Sequence, residues 1–159
     1  MSHYLYLTYT IAYLILLGYG AVLWSRRRRG STLLLLLVTF GVFYDNLILT
    51  LGNGVGAGAL LHALSLPRFA LHQLALPWII YAAYDQARQA GQGWALRPAS
   101  RWIAVGVSAA VMAAGIVTRL WTLRLEPEVM DGVLRYVAVG TVGPPVVSIV
   151  SIGLVTIGG

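Results

Sequence analysis

Two apolar runs, Tyr4 to Trp24 and Thr32 to Leu51, each match the thickness of a bilayer's hydrocarbon core, with only a short arginine-rich turn between them. A helix needs about 20 apolar residues to cross that core. Composition agrees with this reading. Apolar residues make up 58% of the chain and charged residues only 10%, against roughly a quarter charged in average globular proteins. A soluble fold of 159 residues could not build a polar surface from so few charges, so lipid must cover much of it.

The rest of the chain continues the pattern. A long apolar stretch from Val55 to about Ala87 is interrupted by Pro67 and Pro77, Trp102 to Thr118 follows, and Tyr136 to Ile157 comes last. The expected fold is an all-α polytopic integral membrane bundle of about five transmembrane helices. It forms a single transmembrane domain over 1–159, with spans near 4–24, 32–51, 69–86, 102–118 and 136–157. A continuous helix over the third stretch would be roughly 50 Å long, well beyond the ~30 Å core. Proline removes a backbone donor and disfavours helix at the residue before it. "SLPRF" is therefore the expected break, after a short interfacial segment from about Ala57 to Leu66, with Pro77 kinking the span that follows.

The net charge of +6 comes from arginine, since the chain has no lysine. A basic soluble protein would suggest nucleic acid. Here "RRRR" (Arg26 to Arg29) separates two spans, and Arg88, Arg97 and Arg101 fall in the next basic loop. Such placement reads as topology, not as a nucleic-acid surface. It puts the N-terminus outside and, with five spans, the C-terminus in the cytoplasm. The first span is not read as a cleavable signal peptide, because the basic cluster follows it. Without lysine a retinal Schiff base is excluded, and without cysteine so are disulfides and thiolate chemistry.

An ionisable side chain inside the membrane is expensive and usually meets a partner or a cavity. Asp45 lies within the second span, followed by Asn46. His62, Ser65, Arg68, His72 and Gln73 belong to the same outer half, so these seven polar residues form the candidate cluster. The simplest reading pairs Asp45 with Arg68 and locks the second helix to the third, because each partner relieves the other's desolvation. A second makes Asp45, His62 and His72 an open metal site. Against it, the two histidines would be about 15 Å apart on a straight helix. A third gives one histidine to a haem or chlorin. Gly52, Gly54, Gly56 and Gly58 resemble a phosphate loop only in glycine count and are read as allowing a tight turn and close backbone approach. The acids Glu126, Glu128 and Asp131 read as a solvated loop.

Three functions stay open on these residues. The first is a non-enzymatic subunit of a larger membrane complex, structural or supporting a cofactor, with the bilayer and other membrane subunits as partners. The second is an intramembrane enzyme acting on a lipid or isoprenoid from the outer side, with Asp45 and His72 as acid and base. The third is a small transporter or channel component.

Overall fold

The computed structural model describes residues 2–140. Five α-helices follow one another: α1 (Ser2–Arg27), α2 (Gly30–Val55), α3 (Ala59–Ala75), α4 (Trp78–Gln89) and α5 (Pro98–Gly115). A single π turn, Ile116–Leu120, extends α5, and two strands, β1 (Arg124–Met130) and β2 (Val133–Val139), close the described chain. Among the described residues three helical stretches are long and apolar enough to cross a membrane: Tyr4–Arg27, Gly30–Val55 and Pro98–Leu120. The protein is thus a helical membrane protein by length and composition.

Helix α2 is the centre of the bundle. It packs on α1, on α3 and α4, and on β2, and it buries Gly41, Asn46, Ile48, Leu49 and Gly52 along its length. Contacts at both ends set the directions. Thr10 meets Thr50 across 3.3 Å, so α1 runs antiparallel to α2. Arg68 reaches Asp45 near the far end of α2, while Gln89 reaches Ser31 at its start, so α3 and α4 together retrace α2.

That return path bends at Pro77 and not at Pro67. Helix α3 continues through Pro67, contrary to the break expected at "SLPRF", and the kink expected at Pro77 falls where α3 gives way to α4. The chain on both sides of Pro67 is fastened to α2, by Arg68 on Asp45 and by Tyr44 Oη donating to the Leu64 carbonyl at 2.9 Å. A neighbouring helix that ties down the flanking backbone lets a proline remain inside a membrane helix. At Leu76–Pro77 the backbone stays α-like, but the amides of Ile79 and Ile80 bond three residues back, at 3.0 and 3.2 Å. This tighter turn separates α3 from α4, with Pro77 fully buried at the bend.

A second departure lies after α5. The sequence suggests a solvated loop over Glu126 to Asp131 and a helix from Tyr136, within an all-α fold. Instead β1 and β2 form an antiparallel hairpin, with Met130 opposite Val133 and Arg124 opposite Val139. Its two-residue turn is Asp131–Gly132, with φ of 52° and 77°. Positive φ at both positions is the geometry whose twist matches paired strands, and Asp-Gly is a preferred sequence for it. Pro127 is tolerated because β1 is an edge strand. The remainder of the expected fifth span, 141–157, lies outside the described residues.

The hairpin lies lengthwise on the helices. Tyr136 joins Ile48 and Leu61 in a buried cluster with Tyr44, Val55, Leu64, Leu125 and Leu134 packed around it. Ala138, near the hairpin's base, lies beside Phe69 and Gln73 of α3 and Leu120 of the π turn. A smaller cluster of Tyr84, Ala95 and Ala104 fastens α4 to α5.

Candidate functional site

The polar residues of α2 and α3 are distributed by helical spacing. Asp45 and Arg68 face each other across the two helices, and Arg68 Nε donates to Asp45 Oδ1. Their side chains are 23% and 11% exposed, so water screens the pair only weakly. Arg68 also directs Nη1 to the Tyr136 carbonyl oxygen at 3.5 Å. The ion pair therefore joins three elements: α2, α3 and β2.

The other members of the cluster are engaged separately. Asn46 is buried and donates from Nδ2 to the Val42 carbonyl one turn back, at 2.8 Å. Ser65, fully buried, donates to the Leu61 carbonyl at 2.7 Å. Both side chains satisfy themselves on their own helix, which lets them pass through an apolar interface. His62 packs its ring edge-on to Tyr136, with centroids 5.2 Å apart. Tyr136 Oη in turn donates to the Gly58 carbonyl at 3.3 Å. His72 lies a turn beyond Arg68, beside Val38, Gly41, Val42 and Ala75, on a cleft of only about 10 Å³. Gln73 faces away, beside Arg119 and Ala138 on a cavity of about 30 Å³, and its Oε1 is buried without a hydrogen-bond partner among the described residues.

This arrangement bears on the chemistries considered. Among the described residues no three His, Asp or Glu side chains come close enough to hold a metal ion. Asp45, His62 and His72 therefore do not converge. The cleft beside His72 has room for about one water molecule. An acid–base pair of Asp45 and His72 would need Asp45 released from Arg68 and the two groups brought together. As it stands, the geometry is that of a clamp.

The glycine-rich segment contributes to the same clamp. Gly52 faces β2 so closely that a Cβ there would lie 1.9 Å from the Leu134 carbonyl oxygen. Beside it, Asn53 bonds the hairpin with both ends of its amide: Nδ2 donates to the Gly132 carbonyl, and Oδ1 accepts from the Leu134 amide, each at 2.7 Å. Close backbone approach is thus the role of Gly52, and its partner is the hairpin. Asn53 is not among the residues singled out from the sequence, although "MDGV" between two runs of strand-forming residues was the available signal for a hairpin needing a seat.

A second polar cluster also emerges only from the fold. At the opposite end of α2, Asp85 is nearly buried and accepts from Gln89 Nε2 at 2.7 Å and from Arg88 Nε and Nη2 at 3.3 and 3.2 Å. Gln89 Oε1 accepts from Arg29, and Gln89 Nε2 also reaches Ser31 Oγ at 3.4 Å. Arg29, Ser31, Tyr81, Asp85, Arg88 and Gln89 surround a cavity of about 380 Å³. Asp85 lies at the end of an apolar stretch, where a carboxylate attracts little notice, and only the fold brings Arg29 to it. Charge is also segregated along the bundle. Arg26 to Arg29, Arg88, Arg97 and Arg101 gather here with Asp85, whereas Arg119, Arg124 and Arg135 are balanced by Glu126, Glu128 and Asp131. With Asp45 cancelling Arg68, the whole net charge of +6 sits at this end.

Fold and site together define a helical membrane protein built around an internally satisfied ion pair. No family model matches the chain, and no curated protein or solved structure is similar to it.

Proposed function

We propose that this protein is a non-enzymatic subunit of a larger membrane assembly, in which the Asp45–Arg68 clamp and the Gly52–Asn53 seat hold a hairpin against the helices for a protein neighbour. The observation that carries this reading is the edge of β1. Six of its seven residues are exposed and, among the described residues, the sheet has two strands, yet the hairpin lies alongside membrane-length helices. Hydrocarbon offers no hydrogen bonds, so an open sheet edge is not left against lipid. Protein or water must meet it. The bundle itself supplies little cover elsewhere: only 6% of the most apolar window of α1 is buried within the protein.

The arginine-rich end is assigned to the cytoplasm and the hairpin's tip to the outer side. The complete segregation of net charge supports that orientation.

Photo-crosslinking tests the subunit reading. A benzophenone side chain replacing Glu128 or Val129 of β1 should give a discrete product of added protein mass in native membranes. The same group at Leu16 of α1 should label lipid. If β1 positions label only lipid or the chain's own residues, the subunit reading fails.

A further inference from the structure

The cavity at the arginine-rich end has properties that the clamp does not explain. At about 380 Å³ it exceeds the space of a buried water many times over and falls in the range of small-molecule sites. Its walls come from two places in the chain, the start of α2 (Arg29 and Ser31) and α4 (Tyr81, Asp85, Arg88 and Gln89). The carboxylate is already answered, with one oxygen on Arg88 and the other on Gln89.

The arginines, by contrast, have capacity left. A guanidinium carries five N–H donors in a planar fork. Among the described residues Arg29 uses one on Gln89 and Arg88 uses two on Asp85. With one of the two positive charges offset by Asp85, the wall keeps a net positive charge. Arg26, Arg27 and Arg28 stand next to it in sequence. The first turn of α2 adds to this, since its N-cap residue, Arg29, makes no side-chain capping bond and leaves backbone amides open. Planar forks and free amides around a positively charged cavity are the donor set that suits a tetrahedral oxyanion.

We propose that the cavity between the start of α2 and the end of α4 binds a phosphate mono- or diester, with Arg29 and Arg88 as the groups that hold it. A membrane lipid's headgroup and a soluble phosphate ester share this chemistry, and competition distinguishes them.

The test uses the full chain in detergent with a dye-labelled short-chain phosphatidic acid, its binding followed by fluorescence anisotropy. Arg29→Gln with Arg88→Gln should weaken binding at least roughly tenfold, the loss expected from removing charge-assisted bonds. Arg97→Gln with Arg101→Gln removes the same charge at the same end outside the cavity and should change affinity less than about twofold. Displacement of the dye by inorganic phosphate marks a soluble ester as the occupant. Displacement only by unlabelled phosphatidic acid marks a lipid. Equal losses in the two double variants would reduce the effect to diffuse charge and overturn the proposal, as would absence of binding by the unmodified protein. Should the first double variant not fold, Arg29→Lys keeps the charge but loses the fork. Several-fold weaker binding then supports the site, and unchanged binding overturns it.

Discussion

Alanine at position 52 would carry its Cβ to 1.9 Å from the Leu134 carbonyl oxygen and 3.1 Å from its carbonyl carbon. Both atoms are backbone, so no side chain can rotate away. To reach an ordinary contact β2 must move off α2 by roughly 1.5 Å. A movement of that size takes the two Asn53 bonds, each 2.7 Å long, out of hydrogen-bonding range. Losing two such bonds costs about 1–3 kcal/mol, and disturbing the packing of Tyr136 on Ile48 and Leu61 adds about 1–3 kcal/mol. Alanine's better helix propensity returns about 1 kcal/mol. Gly52→Ala should therefore destabilise by roughly 1–5 kcal/mol. Gly54 sits on the same helix, and a Cβ added there would meet nothing within 4 Å, so Gly54→Ala should stabilise by up to about 1 kcal/mol. Thermal unfolding followed by tryptophan fluorescence gives the sign for each variant. Amide exchange over Val133–Val139 then shows whether the hairpin is the part released. If Gly52→Ala is as stable as Gly54→Ala and exchange in β2 is unchanged, the seat assigned to Gly52 is wrong.

Two other predictions concern the ion pair and the orientation. Asp45→Asn leaves Arg68, only 11% exposed, without its counter-charge and should destabilise by roughly 2–4 kcal/mol. Asp45→Leu combined with Arg68→Met should recover most of that loss, and a double variant as unstable as the sum of the singles would deny that the two residues act as a pair. The chain has no cysteine, so single cysteines report sidedness cleanly. Glu126→Cys in β1 should react with an impermeant maleimide from outside intact cells, and Gln92→Cys in the α4–α5 loop only after the cells are opened. The reverse pattern would invert the assigned orientation.

Much of this architecture was legible because lipid imposes simple conditions. Helix α2 and the helix formed by α5 with its π turn follow directly from apolar length, and Asp45 had to find a counter-charge for which Arg68 was the nearby candidate. What was illegible depended on contacts between distant segments. Pro67 and Pro77 look alike in sequence, yet Pro67 lies inside α3, where Tyr44 and Asp45 of α2 hold Leu64 and Arg68 on either side of it, while Pro77 is the one buried at a bend. Asp131–Gly132 is a local hairpin signal, but the acids around it in "EPEVMDG" suit a solvated loop equally well. Asp85 and Arg29 are far apart in the chain, and only the antiparallel return of α4 along α2 places both on one cavity.

The hairpin's seat also has a consequence for the order in which the molecule can be completed. Asp45 meets Arg68 across 23 residues, whereas Asn53 meets Gly132 and Leu134 across 79 and 81. The helices can pair while the chain is still being made, and a hairpin with a two-residue turn forms by itself within microseconds. Docking is different: it closes a long loop and must wait until α3, α4 and α5 have taken their places. Gly52 and Asn53 are synthesised early and satisfied last. Protection of β2 from a protease would therefore mark the finished protein and distinguish it from one in which only the helices have assembled.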